Sequence, residues 1–196
     1  MLSRRTRVRF AWITLISVVA IPVVAAGFSP LLEWREPIYI AAGFAGIIAM
    51  ALTVFQPLLI SGLLSHSAKN ARQIHRWFGF ALVLTIVVHV VGLWITSPPD
   101  VIDALLFVSA TPFSVWGVIA MWSVFATATL ALMRQKFRLK MNLWRLSHKL
   151  LALVTVAAST LHAIQIDGTM ETWSKYGLCV LMVCATLWAL ASSVHR

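Results

Sequence analysis

Residues 71–94 read ARQIHRWFGFALVLTIVVHVVGLW, and residues 143–165 read LWRLSHKLLALVTVAASTLHAIQ. Each stretch sets two histidines fourteen residues apart in apolar surroundings: His75 with His89, and His148 with His162. On an α-helix, fourteen steps of about 100° fall roughly 40° short of four whole turns, so each pair lies along one face with its members about 21 Å apart. That separation covers most of the roughly 30 Å hydrocarbon core of a bilayer.

The rest of the chain supplies the bilayer context. Of its 196 residues 60% are hydrophobic and 11% charged, with a mean hydropathy of +0.88. Soluble domains carry about 25% charged residues, so this composition excludes an ordinary soluble enzyme. The formal net charge of +10 would suit a nucleic-acid binder, but the basic residues fall in short blocks between long apolar runs, a pattern set by membrane topology rather than by a phosphate-binding face. The two cysteines, Cys179 and Cys184, share one apolar run and point in different directions on a helix, so neither a disulfide nor a cysteine metal motif is expected.

Uncharged runs cover 10–32, 37–68, 77–99, 104–133, 150–166 and 176–195. At about 20 residues per crossing they predict six spans, near 10–32, 38–60, 74–96, 106–132, 145–166 and 175–194, in one domain over 1–196. The fifth run is short because Lys149 opens it, and a snorkelling lysine lets the helix extend back through His148. Fourteen of the 16 basic residues lie in the N-terminal block, the second and fourth connectors and the chain end, whereas all six acids (Glu33, Glu36, Asp100, Asp103, Asp167, Glu171) lie in the other three connectors. Basic connectors stay inside, so both termini are expected to be cytoplasmic. The run RRTRVRFAWITLISVVAIPVVAAG also resembles a secretory signal. The uncharged run it opens reaches 23 residues before Glu33, longer than a usual signal core, which favours a retained first helix. Pro22 and Pro57 fall inside spans, Pro112 near the outer part of the fourth, and Pro98 and Pro99 in an outer connector.

This topology sends the third and fifth spans from inside to outside, which puts His75 level with His148 and His89 level with His162. If the two helices are neighbours, the two imidazoles at each depth suit axial ligation of a haem iron, one haem above the other. Along the same faces lie Gly79, Leu82 and Ile86, and Ala152, Thr155 and Ser159, small or apolar residues that leave room for a flat macrocycle. The competing reading is four interhelical hydrogen-bonders, but intramembrane ionisable residues are rare and two equal spacings are harder to obtain by chance. A zinc or di-iron site fits less well, because its ligands converge within a few ångströms and no carboxylate lies inside a span. His66, in SHSAKN, and His195, at the chain end, are expected at the surface.

Arg72, Arg76, Arg145 and Lys149 flank the inner histidines and are candidates for neutralising haem propionates, although the positive-inside bias alone accounts for them too. At the outer level the basic candidates are Arg35 and Lys175, and Lys175 is the sharper one. Seven of the nine tryptophans, Trp144 among them, lie near span ends and read as an interfacial belt, while Trp116 and Trp122 lie deeper.

The two histidine segments, with HRW at His75 and WRLSHK around His148, resemble the ferric reductase-like transmembrane domain. That superfamily includes ferric reductases, NADPH oxidases and the haem membrane subunit of a periplasmic methionine sulfoxide reductase system. The resemblance implies an all-α integral membrane protein, a six-helix haem-binding bundle in a cell membrane such as the bacterial inner membrane. It also implies that His75, His89, His148 and His162 hold two haem b groups and that Trp144 and Arg145 are the family's tryptophan-arginine pair. GFAGI is not a G-x-G-x-x-G turn, and no dinucleotide fingerprint is present, so either a separate cytoplasmic flavoprotein or flavin reductase supplies the FMN or FAD chemistry or this sequence is only the membrane module. The expected function is outward electron transfer to a small acceptor or a periplasmic redox partner, as an oxidoreductase component and not a nucleic-acid binder. The sulfoxide reductase subunit, a quinol-linked cytochrome b and a non-redox scaffold or transporter are the alternatives.

Overall fold

A computed structural model describes residues 3–194 except 66, 135, 137 and 139; His66 and His195 therefore lie outside the described residues. Its helices are α1 (Arg4–Ala26), α2 (Pro37–Ser61), α3 (Ala68–Thr96), α4 (Pro98–Leu105), α5 (Pro112–Met133), α6 (Met141–Gln165) and α7 (Thr172–Val194), with one 3-10 turn at Pro30–Leu32. No strand occurs among the described residues. Six of the helices are long and apolar enough to cross a membrane. The exception, α4, has eight residues, about 12 Å of helix.

Local chemistry sets the helix ends. Ser3 caps α1 by accepting from the Thr6 amide, so the helix starts within the arginine block rather than at the first uncharged residue. It stops at Ala26, and the remaining apolar residues before Glu33 form the 3-10 turn. Proline opens α2, α4 and α5, where its missing N–H is one of the orphans of a first turn in any case. Pro112 therefore starts its span instead of interrupting it. Gly62 ends α2 with φ of 83°, a left-handed cap that suits glycine. Within the spans, the hydroxyls of Thr53, Thr85, Thr127, Thr155 and Thr186 donate to carbonyls four residues back, so these polar atoms are satisfied inside their own helices.

The chain packs as two compact units, one formed by residues up to Gly92 together with those from Asp167 onward, the other by Leu93–Ile166. In the first unit α7 packs against α2 and α1. Val54, Leu59, Leu178 and Met182 are among its most buried side chains. Trp12, Phe55 and Phe78 form an aromatic cluster joining α1, α2 and α3, and the Trp12 indole donates to the Leu64 carbonyl at 2.8 Å. Small residues allow close approach: a Cβ on Gly92 would lie 2.7 Å from the Ala42 Cβ, and one on Gly43 would lie 2.5 Å from the Thr169 methyl. Gly43→Ala is expected to destabilise the protein by about 1–3 kcal/mol, the usual cost of overpacking, which thermal unfolding in detergent would measure.

In the second unit α5 packs along α6, and α4 touches α5. Val118, Met121, Val124, Val156 and Ala158 form its buried seam. Ser109, Thr111 and Ser114 hydrogen-bond one another at the start of α5. Cys179 is buried and Cys184 exposed, both as free thiols.

Candidate functional site

The histidine faces of α3 and α6 are the shielded ones. Leu82 and Thr155 are buried, the four histidines are half-buried, and Phe80, Leu84, Val88 and Leu153 on the opposite faces are exposed. Sequence spacing thus placed each pair on a common, sheltered face.

In the first unit, His75 Nδ1 lies 3.2 Å from the Gln56 carbonyl and His89 Nδ1 lies 2.7 Å from the Ala42 carbonyl. A carbonyl can only accept, so Nδ1 carries the proton in each ring and Nε2 carries the lone pair. The two acceptors are fourteen residues apart, as are the two histidines. One antiparallel register between α2 and α3 therefore serves both. In the second unit, His162 Nδ1 donates to the Phe113 carbonyl at 2.8 Å, and the Phe113 ring meets the imidazole edge-on. His148 is stacked on Trp144, with ring centroids 5.4 Å apart and planes at 30°. The Arg134 guanidinium covers the indole at 4.5 Å from its centroid. Trp144 is thus part of the His148 surroundings, not simply a belt residue.

A metal-binding histidine commonly donates its other ring N–H to a carbonyl or carboxylate, which fixes the tautomer and orients the lone pair. His75, His89 and His162 have that arrangement. The carbonyl partners were not foreseeable, because every residue has a carbonyl and only the helix register selects one. Among the described residues, no three His, Cys, Asp or Glu side chains converge on a common point. Axial ligation of a planar macrocycle does not call for such a cluster.

The basic candidates separate into two kinds. Arg72, Arg76, Arg145 and Lys149 are exposed on the first turns of α3 and α6, one to three residues from His75 and His148. Lys175 is only 4% exposed and lies 3.6 Å from Asp167, which is almost fully exposed. Arg35 stacks over Tyr39. An open groove of about 560 Å³ is lined by Pro30, Leu31, Asp167, Glu171, Trp173 and Tyr176, and among the described residues no histidine borders it.

A family model described as ferric reductase like transmembrane component matches residues 42–159, more than half of the sequence. The chain belongs to this family. Membership of the ferric reductase-like transmembrane family makes electron transfer across a membrane its class of activity. The matched region begins at Ala42, the acceptor of His89, includes His75, His89 and His148, and stops three residues before His162. No curated protein and no solved structure matches this ferric reductase-like chain.

Proposed function

We propose that the chain carries electrons outward across a cell membrane, such as a bacterial inner membrane, through two b-type haems. His75 and His148 are the ligands at the cytoplasmic level, and His89 and His162 at the outer level. The observation that carries this reading is the Nδ1–H to carbonyl anchoring of His75, His89 and His162, which supports Nε2 ligation by each. A buried orphan also fits the group: Trp144 Nε1 has no hydrogen-bond partner among the described residues, and a propionate carboxylate would satisfy it.

Bound haem would supply a reversible one-electron couple, and with His75, His148, His89 and His162 holding it the chemistry would be electron transfer rather than oxygen insertion. The protein's part is orientation, insulation and charge. The carbonyl anchors hold the rings against rotation, while the apolar seams of both units exclude water. The exposed basic residues around α3 and α6, including Arg72, Arg76, Arg145 and Lys149, favour an acidic donor surface, such as that of a separate flavoprotein with its FMN or FAD. The two-sided distribution of charge supports cytoplasmic termini. Lys175, with its charge shared with Asp167, is the basic residue we assign to the outer haem.

Purified protein is expected to show a reduced-minus-oxidised b-type spectrum and about two haems per chain by pyridine haemochrome. Protein expressed with ample haem that contains none would overturn the reading and favour a scaffold or transporter.

A further inference from the structure

The outer histidines are seated in the same way in the two units. His89 donates to the carbonyl of Ala42, and four residues on is Gly46; His162 donates to the carbonyl of Phe113, and four residues on is Gly117. A Cβ on Gly46 would lie 3.0 Å from His89 Nδ1 and 3.1 Å from its Cε1. A Cβ on Gly117 would lie 2.8 Å from His162 Nδ1 and 2.9 Å from its Cε1. Both glycines thus face the same edge of the imidazole, the edge that makes the hydrogen bond.

Helix geometry explains the spacing. Side chains tilt toward the helix N-terminus, so the residue at i+4 shields the carbonyl of residue i from a neighbouring helix. Removing that side chain opens the carbonyl to a ring from outside. The inner histidine of the first unit provides the contrast. His75 reaches the Gln56 carbonyl, whose i+4 residue is Ile60, and its hydrogen bond is 3.2 Å rather than 2.7 Å.

We propose that Gly46 and Gly117 are positioning residues that let His89 and His162 seat on the Ala42 and Phe113 carbonyls and so set the direction of each Nε2 lone pair. This rests on the haem-ligand reading above. Anchoring through Nδ1–H raises the basicity of Nε2, which favours ferric iron and strengthens retention of the metal. A methyl at position 117 must displace the ring, whereas one at position 46 requires a shift of a few tenths of an ångström. The larger effect belongs to Gly117→Ala.

The test compares Gly46→Ala and Gly117→Ala with His162→Ala, Gly43→Ala and Gly79→Ala. Haem retention against apomyoglobin, the low-spin EPR signal and the midpoint potential of each haem are measured. Gly117→Ala is expected to weaken retention of the outer haem about 10- to 100-fold, the usual effect of losing an outer-shell partner. It should also shift the outer EPR signal and raise that potential, with Gly46→Ala changing the same readouts less. Gly43→Ala crowds Thr169 rather than a ring and should cost stability without changing the outer signal. A Cβ at Gly79 makes only an ordinary 3.5 Å contact with the Gln56 amide, so Gly79→Ala should leave the outer haem as it was. If His162→Ala keeps both haems, the ligand assignment fails. If His162→Ala loses the outer haem while both glycine variants keep wild-type retention, EPR and potential, the glycine proposal alone fails. Gly46→Ala, the milder change, provides the answer if Gly117→Ala does not fold.

Discussion

Replacing His162 with alanine is expected to lower haem content from about two per chain to about one and to reduce transfer to an outer acceptor to background, while the remaining haem is still reduced by the donor. The His162 ring makes a 2.8 Å bond to the Phe113 carbonyl and meets the Phe113 ring edge-on. Removing it takes away a proposed ligand together with the contacts that orient it, and no other histidine lies within the last two turns of α6. A five-coordinate iron that survived there would bind carbon monoxide, which a bis-histidine iron does not do readily. Haem is counted by pyridine haemochrome, and outer transfer is followed with a membrane-impermeant ferric chelate.

His89→Ala should give the same loss, because the proposed outer site takes one ligand from α3 and one from α6. His75→Ala and His148→Ala should instead remove the inner haem and block donor-driven reduction altogether. The four variants therefore fall into two phenotypes. Unchanged haem content in both His89→Ala and His162→Ala would leave these rings as interhelical hydrogen-bonders.

The same residues show what the sequence discloses and what it withholds. Six crossings follow from hydropathy, and the shielded histidine faces of α3 and α6 follow from helical periodicity, because both depend on side-chain identity at fixed spacing. The acceptors Ala42, Gln56 and Phe113 could not be read, since they act through backbone carbonyls chosen by interhelical register. Gly46 and Gly117 look like ordinary small residues of a membrane helix until the ring opposite is known. Trp144 reads as an interfacial anchor by position, yet its partners are His148 and Arg134, two contacts that hydropathy does not encode. The short α4 was hidden by its prolines, which read as a connector but also suit the first turn of a helix.

That Arg134 contact decides how donor docking is best probed. The fourth connector carries Arg134, Lys136, Arg138 and Lys140, any of which would attract an acidic flavoprotein. Arg134 covers Trp144 and also donates to the Met141 sulfur at 3.4 Å, so neutralising it would disturb the His148 surroundings as well as surface charge. Lys136 and Arg138 are exposed. The double substitution Lys136→Gln with Arg138→Gln is expected to slow donor-driven haem reduction about tenfold at low ionic strength, the lower end of electrostatic steering effects. The difference should shrink toward nothing near 1 M salt, where the screening length is about 3 Å. Reduction by dithionite and the haem spectrum should be unchanged, since neither substitution touches a ligand. Stopped-flow traces across a salt series separate the outcomes. A donor rate unaffected at every ionic strength would remove this connector as the docking surface, and a spectral change without a salt-dependent rate would mean that the connector acts through the His148 side of the site instead.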